Sequence, residues 1–335
     1  MSENKAGPAL SPVIISLNRK VSPKQRLLLL GGLSLAVMAL FMTVNLGGNL
    51  HYILVHRALI LATMLLVAFA AGVSTLLFQT VTHNRVLTPS IMGFEALFVL
   101  LQTAMIFFID APGISLLGVV GKFLCESLLL VLFSALLYRW LFIGRGNDLH
   151  LLLLVGIICG TLFRSFATLL QRLLTPGEFA ILQGRMFATF TRAPPELLGV
   201  SAAVVLAAAP IIWRMRFRFD VLALGRDTAV SLGIDYRHNV TAILLLVSVL
   251  VAISTALVGP LTFLGFMVAN LAYLIGGSHQ HRFLLPTAFL LGIISLVGGQ
   301  LILEHLLKMS GALSVVIEFL GGSLFLFLLL KKATL

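Results

Sequence analysis

Ten stretches of the sequence are apolar over about 20 consecutive residues and nearly free of charge. These runs are 27–46, 58–78, 91–109, 114–138, 149–170, 197–213, 240–258, 259–276, 283–303 and 313–330. An α-helix needs about 20 apolar residues to cross the roughly 30 Å hydrocarbon core of a bilayer. Because lipid cannot hydrogen-bond to bare backbone groups, only helices and closed barrels span membranes. Strands of a barrel alternate between polar and apolar residues and these runs do not, so the sequence predicts an all-α polytopic membrane protein.

The composition agrees with this class. Hydrophobic residues make up 59% of the chain and charged residues 10%, whereas soluble domains carry about 25% charged residues. The seventh and eighth runs are separated only by Gly259-Pro260, and a proline inside a helix removes a hydrogen bond and clashes with the preceding turn. We therefore expect a break there and about ten spans. Nine spans, with a kink at this point, is the alternative.

Lysine and arginine are unevenly divided between the two sides of the predicted bundle. With the N-terminus inside, sixteen lie in inner segments, five in outer segments and two within the runs. Cytoplasmic loops are enriched in these residues, so both termini are predicted to be cytoplasmic. The net charge of +11 then reflects topology, and nucleic-acid binding is not predicted. The chain divides into a cytoplasmic segment 1–26, a transmembrane domain 27–330 and a cytoplasmic tail 331–335. The first run is too long for a signal-peptide core and is expected to be retained.

The segment 222–235, LALGRDTAVSLGID, is a polar island between two apolar runs. Asp220 is predicted to cap a helix, since Asp side chains accept hydrogen bonds from orphan backbone N–H groups. Gly225 and Gly233 permit tight turns. We predict two short helices within a cytoplasmic loop at 219–238. A plain connector needs only a few residues, so we interpret the island as a surface that a motor subunit grips.

Two other loops have features of ordered structure. In the segment 79–90, Pro89 biases Thr88 away from helix, which predicts a turn before the third run. The outer segment 171–196 is long enough for a small helix at the membrane surface. That helix is either a plain surface helix or a docking element for a partner.

Charged residues within the runs cost about 2.5–3.5 kcal/mol each at the middle of the membrane on insertion scales. Lys122 and Glu126 are four residues apart and are expected to pair on one helix face, with a transport role as the alternative. Glu95 lies near the start of its run and is expected to reach the headgroups. Glu318 has no evident partner, and Arg164 is expected to extend outward.

Small residues and potential catalytic groups complete the pattern. Gly156 and Gly160 share one helix face, which favours close helix packing, with pore lining or a subunit contact as the alternative. Cys125 and Cys159 lie within runs, so neither a disulfide nor a cysteine metal site is predicted, and the histidines of the inner turn 279–281 are expected to be solvated. No phosphate-binding loop, zinc-protease motif or nucleophile elbow occurs. Energy for uphill transport must then come from another subunit or an ion gradient.

Three segments, in their order and spacing, resemble the permease family of bacterial ABC importers for iron chelates and vitamin B12 (FecCD type). The island resembles the family's cytoplasmic pattern LG-x-x-x-A-x-x-LG. HNRVLTPSIMGFEA (83–96) is similar to N-P-L-A-x-P-x-x-L-G. GPLTFLGFMVANLAYLIGGSHQHRFLLP (259–286) is similar to G-x-I-x-F-V-G-L-x-x-P-H-x-x-R and the following DHR-x-L-L-P. The resemblance runs over nearly the whole chain.

The resemblance implies ten helices in the bacterial inner membrane, with two short coupling helices between the sixth and the seventh. It also implies a second permease (this chain or a paralogue), two ABC ATPases that use ATP and Mg²⁺, and a periplasmic siderophore-binding protein. The permease itself would bind no cofactor or metal and would not be an enzyme. The implied ATPase-coupling residues are Leu224, Gly225, Asp227, Ala229, Leu232 and Gly233. The implied binding-protein docking residues are Arg57 and Lys308. The implied translocation-path residues are Gly156, Gly160, Glu318 and Gly321.

The sequence also departs from the family pattern. Ala269-Asn270 replaces Pro-His, Tyr273 replaces an arginine, and Gly322-Ser323 stands where Ala-Pro is common. These features resemble the branch that serves catecholate-type ferric siderophores more than the vitamin B12 branch. Ile60 replaces the second arginine of the docking pattern.

The resemblance therefore predicts a permease for a ferric siderophore. An ABC permease for another chelate such as vitamin B12 or haem is one alternative. A second is an ion-coupled secondary transporter with Glu95, Glu126 and Glu318 as relay groups, and a third is a structural membrane protein. An ATPase pull-down distinguishes the first two readings from the others.

Overall fold

The computed structural model describes residues 21–44, 50–116, 118–144, 149–188, 190, 194–305 and 313–333. These residues form helices joined by short connections, and no β-strand occurs among them. The helices are α1 (Pro23–Thr43), α2 (Leu50–Thr82), α3 (Phe94–Leu116), α4 (Gly118–Gly144), α5 (Leu149–Gln171), α6 (Pro176–Met186), α7 (Pro195–Leu222), α8 (Arg226–Ser231), α9 (Tyr236–Val258), α10 (Thr262–Ile275), α11 (His281–His305) and α12 (Leu313–Ala333). A 3-10 turn at Pro89–Met92 precedes α3.

The predicted apolar runs correspond to helices. In the described part of the chain, six helices are long and apolar enough to cross a membrane, namely α1, α2, α5, α7, α9 and α11. Shorter apolar stretches lie in α3, α10 and α12. The all-helical, multi-pass architecture is thus confirmed.

The centre of the bundle is built by α2, α9 and α11, which are mostly buried. Leu76 and Leu77 of α2, Val247 and Leu250 of α9 and Leu296 of α11 are fully inaccessible to solvent. A helix that is apolar on every face is expected at the centre of a large bundle. In contrast, few residues of α1, α5 and α7 are buried, and their outer faces are available to lipid, to another subunit or to a transport path.

One end of the bundle, which we call the α8 end, gathers the start of α1, the end of α7, the end of α10 and the start of α11. The guanidinium of Arg26 donates to the carbonyl oxygen of Ile275 at 3.0 Å. The carboxylate of Asp220 accepts from the backbone N–H of His281 at 2.7 Å. These two contacts place both segments beside the island of α8.

The opposite end joins α1 to α2 and α6 to α9. Arg57 of α2 donates to the carbonyl oxygen of Phe41 at the end of α1. Gly259, which ends α9, lies so close to Ala188 that an added Cβ would be 3.3 Å from the Cα of that residue. The segment after α6 therefore packs onto the turn between α9 and α10.

The predicted helix breaks are confirmed. Gly259 ends α9 with a φ of 101°, and α10 begins at Thr262. Thr88 is extended, and the 3-10 turn begins at Pro89 as expected. The outer segment 171–196 contains the small helix α6, which starts with a capping box between Thr175 and Glu178.

The prediction of two short helices at 219–238 was only partly right. Helix α7 continues to Leu222, so Asp220 lies in its last turn and does not cap a new helix. One separate short helix, α8, follows, and Asp235 caps α9 through the N–H of His238. No glycine or proline occurs between Arg214 and Leu222, so the chain has no reason to break before Gly225.

Candidate functional site

The island at the α8 end is a compact folded unit. Gly225 precedes α8 with a φ of 100°, and Gly233 follows it with a φ of 82°. The N–H of Ile234 donates to the carbonyl of Ala229, and the N–H of Gly233 donates to that of Val230. This pair of bonds is a Schellman motif, which requires a left-handed residue where Gly233 stands. The two glycines therefore fix the bounds of α8.

The predicted coupling residues divide into an anchor and an exposed surface. Ala229 is completely buried in the main core, where Leu222 and Tyr236 are also buried. Leu224 and Leu232 are 61% and 60% exposed, and Asp227 is also exposed. Val230, which was not predicted, is 54% exposed. Three exposed apolar side chains on a polar island are typical of a protein-binding surface.

A buried hydrogen-bonded chain lies directly beside this island. The Oδ1 of Asp220 accepts from both the backbone N–H and the Nδ1 of His281, each at 2.7 Å. The Nε2 of His281 is 2.8 Å from the hydroxyl of Thr80 in α2. His281 is only 1% exposed, so the expectation that it is solvated was wrong. Its ring also meets Phe219 edge to face.

The hydrogen bonds from His281 favour the ionised form of Asp220. Burial raises the pKa of Asp220, but the hydrogen bonds from His281 outweigh that effect and hold the pKa below its ordinary value. Hydrogen bonds to the charged form of a carboxyl lower its pKa. The ionised Asp220 thus connects the last turn of α7, next to the island, to α11.

The loop before the 3-10 turn is held by residues that depart from the family pattern. The amides of Gln79 and Asn270 both donate to the carbonyl oxygen of Arg85, at 2.7 and 3.1 Å. The guanidinium of Arg85 lies over the ring of Tyr273, 4.4 Å from its centroid. Asn270 and Tyr273 therefore act on the same residue.

The small-residue face of α5 is covered by the 3-10 turn. Gly93 ends that turn with a φ of 89°. A Cβ on Gly93 would lie 3.1 Å from the Cα and N of Gly160 and 3.3 Å from the carbonyl oxygen of Gly156. Both α5 glycines are buried, so their helix-packing interpretation is confirmed.

Gly160 is near the middle of α5. The 3-10 turn that contacts it therefore lies halfway along this helix and not at one of its ends.

Glu95 is consequently far from the headgroup position that the sequence suggested. It follows Gly93 at the start of α3, and its Oε2 accepts from the hydroxyl of Thr262 at 2.9 Å. An adjacent cavity of about 30 Å³ is lined by Glu95 and by six hydroxyl residues: Ser74, Thr75, Ser90, Ser254, Thr255 and Thr262. That volume has room for about two waters. Irregular backbone inside a membrane protein is tolerated where protein surrounds it or a cavity solvates it.

Two further charged residues lie near Glu95. The carboxylate of Glu318 and the guanidinium of Arg164 both interact electrostatically with it, and both side chains are exposed. Gly321 packs against Phe263, where an added Cβ would lie 2.5 Å from the Phe263 Cβ. Glu318 and Arg164 therefore face outward from the bundle, whereas Gly321 holds α12 against α10.

The exposed face of α5 carries a polar stripe. Thr161, Arg164, Ser165, Thr168 and Arg172 line one shallow groove on this face. The three hydroxyls donate to carbonyls of the preceding helical turn. Neither guanidinium forms a hydrogen bond or close ion pair with any residue that the structure describes. Intramembrane arginines generally face water or protein and not lipid.

The predicted ion pair of α4 is confirmed. The Nζ of Lys122 is 3.4 Å from the Oε1 of Glu126, which is 3% exposed. The amide of Gln102 joins both, donating to Glu126 at 2.8 Å and accepting from Lys122 at 3.1 Å. Such a satisfied cluster accounts for these charges without a transport role.

Of the two predicted docking residues, only Arg57 lies within the described part of the chain. Arg57 donates to the carbonyl oxygens of Phe41 and Val44 and lies over the Phe41 ring. Its guanidinium therefore completes the end of α1, a structural contact that the sequence did not indicate. Lys308 lies outside the described residues.

Comparisons with known proteins identify a family. The model of the FecCD transport family matches residues 21–331. The chain is 41% identical over 309 residues to the petrobactin import system permease protein YclO of Bacillus subtilis, covering 92% of this chain and 98% of that protein. It is 38% identical over 280 residues to the petrobactin import system permease protein FatC of Bacillus anthracis, covering 84% and 79%.

The fold also matches a solved structure. That structure is an inward-facing conformation of a metal-chelate type ABC transporter, with a TM-score of 0.80 and 22% identity. The match covers 92% of this chain and all of the other. At this identity the likeness shows the fold.

Proposed function

Because the chain belongs to the FecCD transport family, we propose that it is the permease subunit of an ATP-driven ABC importer for a ferric siderophore. The observation that carries this proposal is the 41% identity to a petrobactin import permease across almost the full length of both proteins. The siderophore is therefore expected to be of the petrobactin type, and the catecholate branch suggested by the sequence stays part of this proposal. The satisfied Lys122–Glu126 cluster and the structural setting of Glu95 give no support to an ion-coupled relay.

The proposed topology has ten spans, with both termini in the cytoplasm of a bacterial inner-membrane protein. The α8 end is then the cytoplasmic end. Contacts of Arg26 with Ile275 support this assignment, since they place the start of α1 beside the island. Residues 1–26 and 331–335 are the cytoplasmic segments, and residues 27–330 are the permease domain.

The island is the proposed contact with the motor. Two ABC ATPases, which use ATP and Mg²⁺, would receive the exposed side chains of Leu224, Asp227, Val230 and Leu232. The permease would bind no cofactor and catalyse no reaction. A closing motion of the ATPases would pass from α8 into α7 and, through Asp220 and His281, into α11.

The proposed path runs between this chain and a second permease subunit, which is a copy or a paralogue. The exposed faces of α5 and α12 supply its wall, with Arg164 and Glu318 toward the path. Gly156, Gly160 and Gly321 support the wall from behind, because each packs against a neighbouring element. At the outer end, the segment around α6 and the predicted residues Arg57 and Lys308 are the candidates for docking a periplasmic siderophore-binding protein.

An ATPase pull-down tests the coupling surface. The purified chain in detergent is mixed with candidate ABC ATPases of the same organism, and the amount of captured ATPase is measured. Leu224→Asp/Leu232→Asp places two charges in the apolar surface and should abolish capture. Leu173→Asp, at an equally exposed leucine of the opposite end, is the matched control and should capture normally. If Leu224→Asp/Leu232→Asp captures as much ATPase as Leu173→Asp does, the island is not the docking surface.

A further inference from the structure

An apolar groove lies between α2, α7 and α11, away from the proposed path. It has a volume of about 390 Å³ and only apolar residues in its lining. Phe69 of α2, Pro210 and Trp213 of α7, and Pro286 and Phe289 of α11 form its walls. Pro210 and Pro286 lie inside helices that continue through them, and each removes one backbone donor from its helix. One of these prolines lines the groove on each side.

Two arginines of the described residues follow the groove walls toward the α8 end. On α7, Arg216 follows Trp213 by three residues, and its guanidinium lies 4.7 Å from the Trp213 ring centroid. On α11, Arg282 precedes Leu285 and Pro286 by one helical turn and is exposed. Residues three or four apart share a helix face. Both walls thus continue into an arginine about one turn beyond the groove lining, where Arg216 lies over the Trp213 and Phe217 rings and Arg282 lies over the Phe283 ring.

This order of chemistry matches one kind of ligand. The groove is an apolar slot toward the middle of the bundle, carries an amphipathic tryptophan at its rim and has two cations beyond the rim. A phospholipid has the corresponding groups in the same order, namely an acyl chain, an interfacial glycerol region and a phosphate. Tryptophan and arginine are suited to the headgroup level of a membrane. A siderophore is a poor candidate because the lining offers its many polar groups no hydrogen-bonding side chain other than the indole of Trp213.

We propose that this groove binds one anionic phospholipid of the leaflet at the α8 end, with an acyl chain in the slot and the phosphate between Arg216 and Arg282. Asp220 and His281, the link from the island to α11, lie two turns and one turn from the groove along their helices. The bound lipid contacts both α7 and α11 and so stabilises their packing at the groove, which the hydrogen bonds between Asp220 and His281 do not reach. Transport is then sensitive to the anionic lipid content of the membrane.

Native mass spectrometry of the full chain tests the proposal. The protein is delipidated in neutral detergent and titrated with phosphatidylglycerol or phosphatidylcholine. Each surface arginine favours an anionic lipid by about fivefold, so Arg216→Gln/Arg282→Gln should reduce the preference for phosphatidylglycerol by more than tenfold. Ala209→Phe, which fills the slot, should reduce binding of both lipids.

The matched control removes two arginines at the same end without touching the groove. Arg214→Gln/Arg237→Gln has the same net charge as the first variant, and both side chains are exposed outside the groove lining. This control should retain the preference of the wild type. Equal loss in the two double variants would overturn the proposal, as would an unchanged preference in Arg216→Gln/Arg282→Gln. Because that variant alters only residues outside the core, its result stands even if Ala209→Phe fails to fold.

Discussion

Replacing Gly93 by alanine tests whether the glycines of α5 serve packing or line the path. Gly93 has a φ of 89°, a conformation in which an L-residue costs about 1–2 kcal/mol. Its new Cβ would meet backbone atoms of Gly160 at 3.1 Å. Backbone atoms cannot rotate away as a side chain can, so overpacking adds about 1–3 kcal/mol. The expected destabilisation is therefore about 2–5 kcal/mol.

Thermal unfolding in detergent measures this effect. In a chain of several hundred residues, each kcal/mol of destabilisation lowers the unfolding midpoint by about 2 °C. The apparent midpoint should therefore fall by about 4–10 °C. Because unfolding of such proteins is often irreversible, wild type and variant are compared at one scan rate. Gly322→Ala is the matched control, since no atom lies within 4 Å of the added Cβ, and helix propensity should leave its stability equal or higher.

The opposite pattern would refute the packing argument. If Gly93→Ala unfolds at the wild-type temperature but no longer supports uptake, the contact with α5 is not a tight structural one. The buried glycines would then have to act on the transported molecule. A lowered midpoint with uptake retained at low temperature supports packing.

Two further predictions concern the α8 end and the proposed path. Asp220→Ala leaves two donors of the buried His281 without an acceptor, at about 1–3 kcal/mol for each, and should lower the unfolding midpoint. Because the pKa of Asp220 is below its ordinary value, this contribution is present above the unfolded pKa of about 3.9 and is lost as pH falls through the lower folded pKa. The stability gap between wild type and Asp220→Ala should thus stay constant from neutral pH to about pH 5 and close below about pH 4; a gap that closes near pH 6 would contradict it. Arg164→Gln should reduce uptake of the ferric siderophore severalfold in proteoliposomes without reducing ATPase capture, and Arg164→Lys should restore much of it; unchanged uptake in Arg164→Gln would exclude this side chain from the path.

Local signals predicted the positions of the helices and of their breaks. Uncharged runs gave the spans, Gly259-Pro260 and Pro89 gave the interruptions, and the spacing of Lys122 and Glu126 gave their pairing. Each of these features depends on neighbours within a few residues.

Features that depend on distant contacts were missed. His281 was expected to be solvated because its partner Asp220 is 61 residues away in the chain. Glu95 was expected near the headgroups because a run was assumed to begin at the membrane surface. The segment before it instead leads to the middle of α5, where Gly93 meets Gly160. The contact of Arg57 with the carbonyl oxygen of Phe41 was not predicted either, because it joins two helices across 16 residues of chain.

The shared contact of Asn270 and Tyr273 with Arg85 has a consequence for exchanging segments between related permeases. Both residues differ from the family pattern, yet they act on one loop together with Gln79. A chimaera that receives α10 from a relative with the usual proline, histidine and arginine would bring a second cation toward Arg85 and remove one amide donor from its carbonyl. Residues 79–85, which are the end of α2 and the start of the following loop, must therefore be transferred together with α10 as one unit.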